Sequence, residues 1–277
     1  MNPPHGRLAA LILGLVLSAA GMTASAEPRA VLELFTSQGC SSCPPADAVF
    51  AGYAGRDDVI ALSFHVDYWD YLGWTDTFAS RENTDRQRSY AATRGDRQVY
   101  TPQIVVNGRE HVVGSDRMAL ERAILQQRVP KTLLNGGSGT AIPDQTAGNA
   151  VPDDNTKRTF PVNVGVVLND KAISIAVGDG SASTVKMGTV WLVLYDRVQT
   201  VPIKGGENRN KTISYYNVVR KMQRVAIWKG KPLALDLPLL MLKKANADGF
   251  AVLVQTENDA GLPGAILGAA MATSPGI

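Results

Sequence analysis

Residues 30–47 read Ala-Val-Leu-Glu-Leu-Phe-Thr-Ser-Gln-Gly-Cys-Ser-Ser-Cys-Pro-Pro-Ala-Asp and hold the only two cysteines of the chain, Cys40 and Cys43. Val31 to Phe35 has the β-forming, apolar character of a short buried strand, with one polar break at Glu33. Gly39 permits a sharp turn. Pro44 and Pro45 fit the first turn of a helix, whose N–H groups have no intrahelical partner. The pair is therefore expected where a strand ends and a helix begins. The partial positive charge of a helix N-terminus favours thiolate over thiol there. Cys40, expected to be the more exposed, would attack, and Cys43 would resolve the mixed disulfide.

Working outward, 277 residues are long enough for two domains, and 45% hydrophobic with 19% charged residues is an ordinary globular composition. Residues 1–26 read as a secretory signal peptide: Arg7, an apolar run from Leu8 to Ala20, then Ala24-Ser25-Ala26 as a small-residue cleavage site. The run is shorter than the ~20 residues a bilayer-spanning helix needs. No stable membrane insertion is expected after cleavage, and the chain would be periplasmic or secreted. Removing the leader takes away one arginine and no acid, so the formal net charge of +3 falls by one. A nearly neutral chain without a basic block is a poor partner for nucleic acid. Outside the cytosol a disulfide persists. A staple between cysteines only three apart would constrain little of the unfolded chain, which argues for a redox pair over a structural one.

Past the cysteines, Ala46 to Ala54 is helical, and Val59 to Val66 is a near-continuous apolar run of the kind buried on both faces. Strand, Cys-x-x-Cys, helix and strand make a βαβ unit. Asp67 to Trp74 then packs four aromatics into eight residues with neither strand nor helix period. Either the loop offers Tyr68, Trp69 and Trp74 to a substrate, or it is filled by its own aromatics. Thr75 to Arg94 is polar and helix-compatible, its arginines 81, 86 and 88 reading as a solvated face. Thr101-Pro102 precedes a strand over 103–106, and Asn107-Gly108 is a strong hairpin signal leading to a strand over 110–113. Ser115 is the expected N-cap of a helix over 117–128.

This order resembles the thioredoxin arrangement. Thr101-Pro102-Gln103-Ile104-Val105-Val106-Asn107-Gly108 with Gly114-Ser115-Asp116 is similar to the second half of glutaredoxins. That resemblance implies a cis Pro102 facing the sulfurs, a Thr101 backbone offered to a substrate, and a turn at Ser115 and Asp116 that receives a peptide carboxylate. The string from Glu33 to Asp47, with His65-Val-Asp-Tyr-Trp-Asp70, resembles an exported bacterial thioredoxin-like family defined by sequence and without an assigned function. Ser-Ser stands between the cysteines where the better-known oxidoreductases have Gly-Pro, Pro-Tyr or Pro-His. No lysine lies near Cys40 where glutaredoxins place one, so glutathione binding is not implied.

Residues 131–158, rich in Gly, Pro, Asp and Asn, read as a linker or crossing loop. From Phe160 onward the period is two, with strands expected at 162–168, 173–177, 190–194, 214–219, 225–228 and 250–256. The expected fold is thus an α/β thioredoxin-like domain over 27–130 and a mostly antiparallel β-sandwich-like domain over 159–277. Lys204-Gly205-Gly206-Glu207-Asn208-Arg209 lacks the spacing of a phosphate loop and reads as a wide hairpin turn.

The leading functional expectation is an exported thiol–disulfide oxidoreductase acting through Cys40, Cys43 and Pro102. Thr101, Tyr68, Trp69, Ser115 and Asp116 would sit at the substrate, a protein thiol or disulfide or a small thiol. No cofactor beyond the disulfide itself is expected. A second reading gathers Cu(I) on Cys40, Cys43 and His65, since soft thiolates favour that ion. His65 is otherwise a proton shuttle or a hydrogen-bonded strand-end histidine. A third makes the chain a non-catalytic binding protein on the same scaffold.

Overall fold

The computed structural model describes residues 28–126 and 159–273; the expected signal peptide and the segment 131–158 lie outside them. Its elements in order are β1 (Ala30–Thr36), α1 (Pro44–Ala54), β2 (Val59–His65), α2 (Arg81–Arg94), β3 (Gln103–Val106), β4 (Glu110–Val113) and α3 (Arg117–Gln126). There follow β5 (Val164–Leu168), β6 (Ala172–Val177), β7 (Gly188–Pro202), β8 (Thr212–Trp228), β9 (Leu233–Pro238), α4 (Leu240–Ala245), β10 (Gly249–Glu257) and β11 (Pro263–Thr273). The result is a mixed α/β structure with a large, mostly sheet part.

Side chains alternate across a strand, so parity decides which layer each residue joins. In β1, Ala30, Leu32 and Leu34 pack with Ala46, Phe50 and Tyr53 of α1 and Leu120, Ala123 and Ile124 of α3. Val31 and Phe35 face the other way, with Phe64 and with Tyr90 of α2. β2 pairs parallel to β1 from Ala30↔Val59 to Thr36↔His65. Both end residues have the parity of the α1 side, so Thr36 and His65 point under the first turn of α1.

One eight-stranded sheet, in the order β11-β10-β7-β8-β2-β1-β3-β4, runs through both parts of the chain. β8 joins β2 in parallel at Ser63↔Val218. The segments 214–219 and 225–228, expected as two strands, are one strand of 17 residues paired along its length with the 15 residues of β7. Even-numbered Val190, Leu192, Leu194, Phe250, Val252 and Val254 pack against the three-stranded sheet β5-β6-β9. Odd-numbered Val193, Tyr195, Ala251 and Leu253 continue the Phe35–Phe64 layer. α4 and β11 carry no clear period, whereas β9 does: Leu233, Leu235 and Leu237 alternate inward, a signal the sequence offered over only six residues.

Two local expectations change. Asp116, not Ser115, caps α3: its Oδ1 accepts the Ala119 N–H at 2.9 Å. The Asp116 N–H closes a turn onto the Val113 carbonyl, leaving Ser115 exposed inside that turn. Arg86 does not belong to a solvated face. It is buried against Glu33 at 2.6 Å, the polar break in β1, which parity turns toward α2. Tyr90 donates its hydroxyl to the other Glu33 oxygen, and Gln255 of β10 donates to Tyr90 at 2.7 Å. The network ties β1 and α2 to a strand of the C-terminal half.

Breaking one side of a buried ion pair leaves the other charge uncompensated, at a cost of about 3–5 kcal/mol, whereas removing both charges is often nearly neutral. Arg86→Met is expected to lose stability in that range by urea unfolding. Glu33→Leu with Arg86→Met should recover most of it, and equal losses in the single and double variants would show that packing, not charge, is at stake.

Candidate functional site

The β1 strand ends at Thr36, and the chain turns through Ser37-Gln38-Gly39 to Cys40. Cys40 and Cys43 form a disulfide with Cα atoms 5.4 Å apart. Cys43 is the N-cap of α1, whose first positions are Pro44 and Pro45, as the sequence suggests. The Cys43 N–H donates to the Cys40 carbonyl at 3.2 Å, and the Cys43 carbonyl accepts from Ala46 and Asp47. Ser42 Oγ lies 3.4 Å from Cys40 Sγ and 3.5 Å from the Thr101 carbonyl. The Thr101–Pro102 peptide is cis, and the Pro102 carbonyl accepts the Gly114 N–H at 3.0 Å. The loop before β3 therefore stands beside the Cys-Ser-Ser-Cys turn. Ser115 and Asp116 follow Gly114 and are exposed.

One expectation is overturned. Cys40 is not the exposed sulfur: both cysteines are fully buried. Trp69 closes one side, its indole N–H donating to Thr101 Oγ1 at 2.7 Å. Trp74 closes another by donating to Gln38 Oε1 at 2.8 Å. Tyr68 is half-buried and donates to Gln87 at 3.1 Å, and burial pushes its phenol up to about 12. All three rings are partly buried, Tyr68 and Trp69 against the Phe35–Phe64 layer, and Tyr71 of the same loop projects outward, 77% exposed.

Behind the disulfide lies a dry polar cluster. His65 Nδ1 is 2.8 Å from Asp76 Oδ2, both side chains fully buried. Asp76 also accepts the N–H groups of Gln38 at 2.7 Å and Phe78 at 2.8 Å. Burial alone would raise its carboxyl, but the His65 ring and these donors together hold it below the usual range. An ionised carboxylate only accepts, so His65 Nδ1 carries a hydrogen and Nε2 is the atom left free. Asp47, four residues after Cys43, sits on the same face of α1 and accepts from Thr36 Oγ1 at 2.9 Å. Desolvation dominates there: burial pushes the Asp47 carboxyl up to about 7, despite His65 and Thr36 pulling it down. The Tyr215 ring packs edge-on to His65 at 4.7 Å, and burial beside Asp47 and Asp76 raises its phenol. Asp47 Oδ2, His65 Nε2 and the Tyr215 hydroxyl have no hydrogen-bond partner among the described residues. Among those residues no group of three or more His, Cys, Asp or Glu is placed to hold a metal ion.

Asp47, Asp76 and Tyr215 escaped the sequence reading. The i,i+4 spacing of Cys43 and Asp47 was a usable signal for the first. Asp76 and Tyr215 arrive through loop and sheet geometry that no local pattern encodes.

A family model described as a protein of unknown function (DUF1223) matches residues 31–132 and 129–255. The chain belongs to this family. A crystal structure of a protein from Agrobacterium tumefaciens is 35% identical to this DUF1223 chain, covering 91% of it and 96% of that protein, with a TM-score of 0.72. HBP35 of Porphyromonas gingivalis, 11% identical over 89% of this chain and 75% of its own, has a TM-score of 0.54 and shows likeness of fold alone. No curated protein matches the chain.

Because burial lifts Asp47, the folded chain keeps a proton that the unfolded chain, with a carboxyl near ~3.9, has released. The resulting stability is complete below about pH 4 and is lost as the pH rises to about 7. Urea unfolding across that window is expected to show wild-type stability falling toward about 1.4 kcal/mol per pH unit from this group. Asp47→Asn, which cannot ionise, should remove that decline; an unchanged pH profile would mean that Asp47 titrates normally.

Proposed function

We propose that this chain is an exported thiol–disulfide oxidoreductase, with residues 27–130 acting as a thioredoxin-like unit and Cys40–Cys43 as the exchanging pair. The observation that carries the reading is a Cys-x-x-Cys disulfide at the mouth of a helix with a protonatable carboxyl buried one turn behind it. A structural staple needs no such acid. Exchange can use one, because it places a thiolate on the buried Cys43 that a nearby proton stabilises.

A substrate thiolate attacks Cys40 Sγ. The new sulfur–sulfur bond joins substrate to Cys40, the Cys40–Cys43 bond breaks, and its electron pair leaves on Cys43 Sγ. A carboxyl with a pKa of about 7 is well matched to give that thiolate a proton near neutral pH. His65, held by Asp76, stands behind Asp47 as the next group able to pass a proton. A second substrate thiol, having lost its proton to solvent, attacks as a thiolate the substrate sulfur held in the mixed disulfide; the bond to Cys40 breaks and its electron pair leaves on Cys40 Sγ. The substrate leaves oxidised, and the pair is left reduced. The reverse sequence reduces a substrate disulfide and leaves the pair oxidised, and which direction dominates follows from potentials in which about 30 mV equals roughly 1.4 kcal/mol.

Burial of both sulfurs supports a second reading, a permanent structural disulfide, and one experiment separates the two. Folded wild type should be reduced by dithiothreitol, counted by thiol alkylation, and should catalyse insulin disulfide reduction. Cys40→Ser should fall to the uncatalysed rate, while Cys43→Ser should accumulate mixed disulfides. A folded pair that resists excess dithiothreitol, or full activity in Cys40→Ser, would leave the staple.

A further inference from the structure

The tip of the β7–β8 hairpin, Ile203 to Lys211, lies on the Cys-Ser-Ser-Cys turn, more than 160 residues away in sequence. Asn208 is fully buried. It gives one amide hydrogen to the Gln38 carbonyl at 2.9 Å and the other to the Cys40 carbonyl at 2.8 Å. Lys211 Nζ donates to Asn208 Oδ1 at 2.8 Å and fixes the amide in that orientation. Next to it, exposed Glu207 accepts the Ser41 N–H at 3.2 Å. The backbone of the tip presses on the aromatic loop: a Cβ on Gly205 would lie 2.5 Å from the Gly73 carbonyl oxygen. Gly206, at φ +68°, abuts Trp74. The Asn208 and Glu207 bonds go to the turn that carries the disulfide, and the two glycine contacts go to the aromatic loop beside it.

We infer that Asn208 and Glu207 are positioning residues for the exchange reaction: the hairpin tip is a cap whose closed position seals the oxidised pair and whose displacement admits the substrate. This rests on the exchange reading above. An external thiolate must reach a sulfur along the line of the disulfide bond, and the buried sulfurs offer no such approach while the cap is down. Redox state and cap position are coupled through charge. With the pair oxidised, the Cys40 side is neutral and the Ser41 N–H is free to hold the Glu207 carboxylate. With the pair reduced, a Cys40 thiolate competes for the same amide environment and repels that carboxylate. Reduction thus favours the open cap, and by reciprocity the closed cap favours the disulfide. A partner that displaces the tip would draw the pair toward reduction, so the cap selects for substrates able to compete for the Gln38 and Cys40 carbonyls.

The test uses the full mature chain with dithiothreitol as reductant and a glutathione redox buffer for the equilibrium. Asn208→Ala, which loses both cap bonds, is expected to be reduced about tenfold faster than wild type, the factor that ~1.4 kcal/mol of lost closure gives. Glu207→Gln alters an exposed side chain and should fold normally. Its equilibrium should shift toward the reduced pair by roughly twofold to fivefold at low salt, the range of an exposed charge interaction, and the shift should shrink in high salt. An Asn208→Ala variant with wild-type circular dichroism and a wild-type reduction rate would overturn the cap. An unchanged Glu207→Gln equilibrium would overturn the charge coupling. Either result leaves a pair that still exchanges; failure of dithiothreitol to reduce wild type and both variants would sink the exchange reading and the cap together.

Discussion

The arrangement depends on one junction, the place where β8 meets β2. Ser63↔Val218 is the pairing that joins them, and a single step of ladder is a weak link for an eight-stranded sheet. Asn217 reinforces it. Its backbone takes φ +47°, a conformation Asn tolerates better than most residues. Its side-chain amide donates to the Ala61 carbonyl of β2 at 2.9 Å and to the Ala54 carbonyl at the end of α1 at 3.3 Å. One buried side chain thus substitutes for missing ladder bonds and anchors the hairpin to both the strand and the helix of the cysteine unit.

Past that anchor, the outer half of the hairpin, Val198↔Tyr216 to Pro202↔Thr212, is a long two-stranded ribbon ending on the disulfide. A free two-stranded ribbon is marginally stable in water. Its tip is held by few contacts, chiefly the Asn208 amide, the Glu207 carboxylate and the glycine contact with the aromatic loop. Tyr215, on the ribbon, also packs edge-on against His65 and lies 6.2 Å from the Phe78 ring. The same ribbon therefore supplies both a wall of the dry cluster and the contacts to the Cys-Ser-Ser-Cys turn.

Much of the cysteine half was legible, because its signals are local. The strand before Cys40, the helix from Pro44, the hairpin at Asn107-Gly108 with φ of 51° and 68°, and the apolar β2 each announce themselves within ten residues. The C-terminal strands were legible as strands through their period of two, but not in their partners: alternation says which face a residue takes and is silent about which edge it joins. Hence 214–219 and 225–228 look separable when Lys221, Gln223 and Arg224 interrupt the apolar pattern, yet they pair continuously with β7. Arg86 is hidden for the same reason, since one of several arginines in a polar helix looks solvated until Glu33 is turned toward it. The aromatic loop and the Gly205-Gly206 pair carried the strongest unexplained composition. Their reason is each other: the glycines let the hairpin backbone approach the loop more closely than any side chain would permit.

Asp47 and Glu207 sit in different dielectrics. At equal separation, a charge interaction in a dry interior exceeds one in water severalfold, even with the effective interior constant near ~20 that fits measured behaviour. Asp47 is in the dry region, so its ionisation is resisted and it holds a proton to neutral pH. Glu207 is exposed to water, so its influence on Cys40 is modest and screened by salt within a Debye length of about 8–10 Å. In the proposed exchange, a proton donor behind the leaving sulfur would need to be neutral until the bond breaks, and burial favours that. A charge that adjusts access from outside needs to be weak enough to be displaced, and exposure secures that. Exchanging the two environments would give a permanently charged acid against a buried disulfide and a cap with no electrostatic sense of the redox state beneath it.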